Sequence, residues 1–256
     1  MNEIQHKFQL KLTVAASEML SERVAHIVLT DDEPLPAMRP GQFVQVAVPD
    51  GGVLLRRPIS IHDVSEADNT LHLLVQTVGR GTRSIASVKQ GDEMDLVLPL
   101  GNGFPDMTEG RVLLTGGGIG TAPLLYLGRR LRANGCEVTF LLGGRTAKDI
   151  LRREEYEAVA RVMTTTENGS DGEQGFVTNH SLLSREQFDA VMVCGPTPMM
   201  KAVARWASVP CYVSLENMMA CGLGACLCCV QKNNEGHNVC VCTEGPVFNT
   251  NELEWK

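Results

Sequence analysis

The chain has 256 residues, more than one small core needs, and 43% are hydrophobic but only 5% aromatic, which predicts two aliphatic-cored domains with a small appendage. Lys plus Arg total 23 against 30 Asp plus Glu, and the formal net charge of -7 has the wrong sign for a protein that grips a nucleic-acid backbone. No apolar run approaches the roughly 18–20 residues of a membrane span, and the opening MNEIQHKFQLKLTV lacks the apolar core of a secretory signal. The expectation is a soluble cytoplasmic protein with neither a nucleic-acid nor a membrane partner.

From Phe8 to about Gly101 the sequence runs in short apolar stretches: FQLKLTV, RVAHIVL, QFVQVAV, TLHLLVQTV and EMDLVLPL. Several alternate apolar and polar residues with period two, and Pro, Gly and Asp fill turns such as EPLPAMRPGQ and VPDGG. Residues 1–104 are therefore expected to form an antiparallel β-barrel. Within it Arg56-Arg57-Pro58-Ile59-Ser60-Ile61 reads as a strand, and Val78-Gly79-Arg80-Gly81-Thr82 opens a helix, TRSIASV. A guanidinium, a hydroxyl and the N–H groups of a helix start can converge on a diphosphate. Read alone, an RRP strand is a solvated edge.

After Pro105 the period changes. RVLLTGG, CEVTFLLGG, AVMVCGP and VPCYVSLE read as strands, the last closing the sheet, and APLLYLGRRLRANG, TAKDILRREEYEAV and TPMMKAVARWAS as helices. Strand–helix alternation requires crossovers, so residues 105–214 should form a doubly wound α/β domain with a parallel sheet. Leu114-Thr115-Gly116-Gly117-Gly118-Ile119-Gly120-Thr121-Ala122-Pro123 runs from a strand through glycines into a helix. Cys194-Gly195-Pro196-Thr197-Pro198 ends a later strand on the same carboxyl edge, so the two turns form a nucleotide crevice, although strict G-x-G-x-x-G spacing is not kept. The acidic ribose ligand usual after the second strand is replaced by Gly143-Gly144-Arg145-Thr146, which leaves NAD and NADP both open.

Seven of the nine cysteines lie in the last 46 residues, and an odd count without a secretory signal argues against a disulfide framework. Residues 215–256 show little periodicity and are expected to fold around a metal rather than build a core. Cys221, Cys226 and Cys229 make C-x4-C-x2-C, the plant-type spacing for a 2Fe-2S cluster, with a more distant fourth cysteine. Gly222 and Gly224 permit a loop that turns thiolates and backbone N–H groups inward. The competing reading is structural zinc on Cys226, Cys229, Cys240 and Cys242, in a nucleotide-binding adaptor without redox activity. Cys228 and Cys240 otherwise read as packing or exposed residues, and Cys136, Cys194 and Cys211 as small buried hydrophobes.

No Ser-His-Asp set, carboxylate pair or HExxH motif stands out, and the six histidines are dispersed; His237, inside the tail, reads as a solvated loop residue before a ligand. Hydride transfer between a nicotinamide and a flavin needs orientation rather than a protein acid or base, so a redox carrier fits.

Taken together, R-R-P-I-S-I, G-x-G-T, T-G-G-G-I-G-x-A-P-L, C-G-P-x-P-M and the tail ending C-T-E-G-P-V-F resemble the ferredoxin-reductase-type flavoproteins over nearly the whole chain. Among these the sequence is most similar to the electron-transfer subunits of class B dihydroorotate dehydrogenases, whose cluster loop resembles S-L-E-N-M-M-A-C-G-L-G-A-C. The resemblance implies FAD in the barrel, held by Arg57, Pro58, Ile59 and Ser60, by Leu74, Val75 and Gln76, and by Gly81 and Thr82. It implies NAD at Gly116, Gly117, Gly118, Gly120 and Thr121 with Cys194, Gly195 and Pro196, and a C-terminal 2Fe-2S domain with Cys242, ahead of T-E-G-P-V-F, as the fourth ligand to join Cys221, Cys226 and Cys229. Where the family commonly shows Tyr-Arg, Val75-Gln76 lacks the stacking ring and the cation, which throws more of the FAD contact on Arg57 and Arg80. The implied partner is an FMN-containing catalytic subunit that oxidises dihydroorotate, in a heterotetramer of two plus two. Nothing in this chain resembles a dihydroorotate site. Neighbouring subunits, of the NADH-dependent ferredoxin:NADP oxidoreductase or hydrogenase diaphorase type, share the pattern, but some replace the first cluster cysteine, present here as Cys221.

Overall fold

The computed structural model describes residues 6–49 and 51–255; the first five residues of the opening segment and Asp50 of the VPDGG turn lie outside it. Strands β1 (Phe8–Ser21), β2 (Val24–Thr30), β3 (Phe43–Val46), β4 (Arg57–Ser65), β5 (Thr70–Gln76) and β6 (Glu93–Leu100) close a barrel in the order β1-β2-β5-β4-β3-β6. Every pairing in it is antiparallel. The period-two pattern does the sorting. Leu71, Leu73 and Val75 of β5 point inward among Ile27, Leu29, Val44, Val46, Leu96 and Leu98, and helix α1 (Arg80–Ala86) adds Ile85. Each such side chain contributes roughly 1.5–3 kcal/mol on burial. Leu74, the alternate residue, faces out and packs with Val24 and Ala122.

The second layer is a sheet of β7 (Arg111–Gly117), β8 (Glu137–Gly144), β9 (Arg161–Thr166), β10 (Glu173–Gln174), β11 (Ala190–Cys194) and β12 (Cys211–Ser214). All six are parallel, ordered β10-β9-β8-β7-β11-β12. Its helices are α2 (Leu124–Ala133), α3 (Arg153–Val159), α4 (Leu182–Arg185) and α5 (Thr197–Trp206). Val112, Leu114, Phe140 and Leu142 face Leu124, Leu131 and Tyr156 of α2 and α3, while Leu113, Leu141, Val191 and Val193 face Met200 and Val203 of α5. With helices on both faces the domain is doubly wound, as expected. Among the described residues no helix is long and apolar enough to cross a membrane.

Three features depart from the sequence reading. The stretch TAKDILRREEYEAV is not one helix: Asp149 Oδ2 accepts the Thr146 N–H at 2.8 Å in a short 3-10 turn, and Arg152 takes the left-handed conformation (φ 52°) before α3 begins. That break turns the Arg152 guanidinium back onto the barrel, where it donates to Glu18 Oε1 at 3.2 Å and to His26 Nδ1 at 2.9 Å. VPCYVSLE does not close the sheet. In the tail, β13 (Val230–Lys232) and β14 (Asn238–Cys240) form a hairpin, and β15 (Val247–Asn249) pairs antiparallel with β12. Nor does the tail depend on a metal for all its packing, because Cys229, Val241, Cys242, Phe248, Leu253 and Trp255 are buried in the α5-side core.

The two layers meet through polar groups as well as apolar ones. Arg152 reaches across to His26, whose ring contacts His72 on the adjacent barrel strand at 3.1 Å, the His62 Nδ1–H donates to the Ala122 carbonyl at 2.6 Å, and Arg129 pairs with Asp63 at 2.9 Å. Burial drives His62 down to about 3 and His72 to about 4, so the seam holds neutral imidazoles.

Candidate functional site: a cleft beside a thiol loop

A cavity of about 300 Å³ opens where barrel, sheet and tail meet. Its barrel wall is Pro58, Ile59 and Ser60 of β4, Leu74 and Gln76 of β5, and Thr82 of α1; Gly120 and Cys194 form part of the opposite wall. All eight stand in motifs of the sequence. Phe43 of β3 stands in none, and the segment Ser214–Asn217, which reads in sequence as the start of the cluster loop, leaves β12 and runs along the cleft. Glu216 carries no periodic signal; it lies in the S-L-E-N-M-M stretch that opens the cluster-loop motif, two residues beyond the end of β12. Desolvation raises its carboxyl above the usual range.

The remaining barrel residues divide by orientation. Val75 points into the barrel core. Arg57 lies at the rim, where its guanidinium donates to the Leu55 carbonyl at 2.8 Å, and a Cβ on Gly81 would lie 2.8 Å from Arg57 Nε. Gly81 thus makes room for the cation over the start of α1. Arg56 turns the other way, into an ion pair with Asp95 at 2.9 Å. The Thr82 hydroxyl accepts the N–H groups of Val78 at 2.9 Å and Gly79 at 3.1 Å and donates to the Gly79 carbonyl, so it builds the turn.

Strand order reverses between β7 and β11, which pair with Gly116 opposite Cys194. Ligands of open α/β sheets bind at such a switch point. Gly118 takes φ +57°, and a Cβ on Gly117 would lie 2.8 Å from Met199 Sδ and 3.4 Å from Pro196 Cδ. Gly120 packs directly on Gly195. Thr121 is buried, with its hydroxyl donating to the Gly118 carbonyl at 2.9 Å, so it shapes the turn from behind. Arg145 stands exposed at the end of β8. Burial pushes the Cys194 thiol up to about 12, keeping it protonated in the cleft wall.

The cysteine loop follows the cleft segment directly. Gly222 (φ +70°) and Gly224 (φ +81°) reverse the backbone so that its amides face sulfur: Leu223 N–H lies 3.3 Å from Cys221 Sγ and Gly224 N–H 3.2 Å from Cys242 Sγ. The Cys242 N–H donates in turn to Cys229 Sγ at 3.4 Å. Burial pushes Cys221 up, but the amides of Leu223, Cys226 and Ala225, with the Cys226 thiol, outweigh it and hold the Cys221 thiol at about 7. Cys221 adjoins Cys226, and Cys242 adjoins Cys229 and lies near enough to Cys221 to feel its charge. Thiols at the plant-type spacing, with loop amides turned onto sulfur, suit a 2Fe-2S centre. Cys240 also adjoins Cys229, yet no described amide is aimed at its sulfur; Cys226 and Cys228 are both exposed, and of the two only Cys226 keeps the C-x4-C-x2-C spacing. Among the described residues no three His, Cys, Asp or Glu side chains close on a single ion.

The family described as the iron-sulfur cluster binding domain of dihydroorotate dehydrogenase B matches residues 216–254, and the oxidoreductase NAD-binding domain matches residues 114–205. The chain is 39% identical to a Bacillus velezensis protein named dihydroorotate dehydrogenase B (NAD(+)), electron transfer subunit, over 94% of this chain and 97% of that protein. A Streptococcus pneumoniae protein of the same name is 40% identical over 93% of this chain and 96% of its own length. The solved NADH-dependent reduced ferredoxin-NADP oxidoreductase superposes with a TM-score of 0.87 at 31% identity, covering 95% of this chain and 90% of that one.

Proposed function

Because the chain belongs to the electron-transfer subunits of dihydroorotate dehydrogenase B, we propose that it relays electrons released by dihydroorotate oxidation to NAD. The oxidation itself takes place at the FMN of a partner catalytic subunit, as a step of de novo pyrimidine (UMP) biosynthesis. The observation that carries this reading is the shared cleft: barrel wall, Gly-rich crest and tail segment meet in one cavity, and the tail segment continues into the cysteine loop. When bound there, FAD exchanges a hydride with NAD and single electrons with the 2Fe-2S cluster.

The chain's own residues do the holding. Pro58, Ile59, Ser60, Leu74 and Gln76 form a mostly apolar wall that shields a flavin ring from water, and Arg57, given room by Gly81, supplies charge for its diphosphate. Thr82 fixes that turn, and Val75 anchors its strand in the core. The crest of Gly116, Gly117, Gly118, Gly120 and Thr121, with Cys194, Gly195 and Pro196, lets a nicotinamide nucleotide approach backbone closely. Cys221, Cys226, Cys229 and Cys242 hold the cluster, with the Leu223 and Gly224 amides offsetting negative charge on sulfur. The parts correspond to residues 1–104 for FAD, 105–214 for NAD and 215–256 for the cluster, working in the cytoplasm as a two-plus-two heterotetramer with the catalytic subunit.

Anaerobic co-expression with an FMN-containing dihydroorotate dehydrogenase catalytic subunit tests the reading. The complex should reduce NAD with dihydroorotate and show flavin and iron–sulfur absorption. The purified chain alone should be inert toward dihydroorotate; turnover by the chain alone overturns the division of labour.

A further inference from the structure

Gln45 lies on β3 with no exposed surface, and neither its side-chain oxygen nor its nitrogen has a hydrogen-bond partner. Buried polar groups are nearly always paired, and a leucine would fill the same space without leaving an orphan donor. Its surroundings show where the amide points. A Cβ on Gly222 would lie 2.8 Å from Gln45 Cγ and 3.0 Å from Gln45 Nε2, so the residue that follows Cys221 packs against this side chain. Val44 and Val46, on either side, face the barrel core, which turns Gln45 outward on the same face as Phe43. Phe43 lines the cleft; Gln45 does not, and contacts the cysteine loop instead.

We propose that Gln45 tunes a 2Fe-2S cluster bound by the cysteine loop, donating its side-chain N–H to cluster sulfur and so raising the reduction potential. This rests on the reading of the cysteine loop as the cluster site. Hydrogen bonds to sulfur stabilise the reduced, more negative cluster, and the potential of such centres follows them. A donor lent by the flavin barrel to the tail also links the two halves of the relay chemically.

The test is an EPR-monitored redox titration of anaerobically purified wild-type protein, Gln45→Leu and Gln45→Glu, with iron and FAD content measured alongside. The expected result is a full cluster in each, a more negative midpoint for Gln45→Leu, and a still more negative one for Gln45→Glu, which keeps the shape but replaces a donor by a charge. A Gln45→Leu protein with wild-type potential and g values overturns the proposal. Should the variants misfold, pulsed EPR on wild-type protein carrying ¹⁵N in its glutamine side chains must show hyperfine coupling to an amide nitrogen, and its absence overturns the proposal equally. Wild-type protein without any iron–sulfur signal would instead sink the reading of the loop on which the proposal stands.

Discussion

Gly120 and Gly195 touch backbone to backbone across the crest of the sheet: a methyl group on Gly120 would overlap Gly195 Cα and lie 2.7 Å from the Cys194 carbonyl oxygen. The turns after β7 and β11 therefore have a fixed separation that only glycine allows. Gly120→Ala should force them apart, at about 1–3 kcal/mol for overpacking a rigid site, and weaken NADH binding about tenfold or more. Gly118→Ala, with open space around it, should cost only about 1 kcal/mol of backbone strain. Calorimetric titration with NADH checks both; wild-type affinity in Gly120→Ala would falsify the crevice.

Arg56 and Arg57 are neighbours with opposite duties. Arg57→Ala should yield protein that loses FAD on gel filtration while its melting temperature, measured without flavin, stays put. Arg56→Ala should keep FAD but lose the partly exposed pair with Asp95, whose carboxyl Arg56 holds below its usual range, worth about 1 kcal/mol. That corresponds to a melting point lower by about 2–4 °C. Absorbance at flavin wavelengths and calorimetry separate the two outcomes.

Serine at Cys221, Cys226, Cys229 or Cys242 should abolish the iron–sulfur absorption of anaerobically purified protein. Serine at Cys228 or Cys240 should leave it intact, because Cys228 falls outside the C-x4-C-x2-C spacing and the Gly224 N–H reaches the Cys242 sulfur rather than that of Cys240. Loss of iron in Cys240→Ser together with its retention in Cys242→Ser would reverse the choice of fourth ligand.

The barrel and the wound sheet were legible because their residues repeat with a physical period. Leu71, Leu73 and Val75 alternate, and Gly116 to Gly120 interrupt a buried strand at the one place where a helix must start. What escaped notice depends on partners distant in sequence. VFN is too short to announce a strand until Tyr212 and Ser214 lie beside it. Arg152 adopts its left-handed turn where Glu18 and His26, far upstream, meet its guanidinium. Gln45 reads as an outward polar residue in FVQV and is buried where Gly222 of the tail packs against it. The site split the same way: the barrel and sheet motifs were visible, whereas Glu216 and Asn217, legible only as part of the cluster loop, enter the cleft through the path of the chain after β12.

The seam histidines make stability depend on pH. His62 and His72 titrate near 6.5 when unfolded but at about 3 and about 4 when folded, so between about pH 4 and 6.5 the unfolded chain binds more protons. Stability is therefore fully present above pH 6.5 and falls as pH drops through that window, by a total on the order of a few kcal/mol. Urea denaturation between pH 4 and 8 should show the decline, and His62→Gln should flatten it. A flat profile in the wild type would mean that the seam is wet and the imidazoles are free to charge.

Both ends of the cysteine loop are stitched to one pair of strands: β12 leads through Glu216 to Cys221, and Cys242 leads back to β15, which lies alongside β12. The loop is a staple whose two legs share a plate with the cleft wall. Anchored at both ends beside the cleft wall, the loop should hold electron passage at a constant distance, as through soldered wire rather than a swinging contact. Cutting the staple at β15 would bare the edge of β12 and invite the sheet to recruit strands from other molecules.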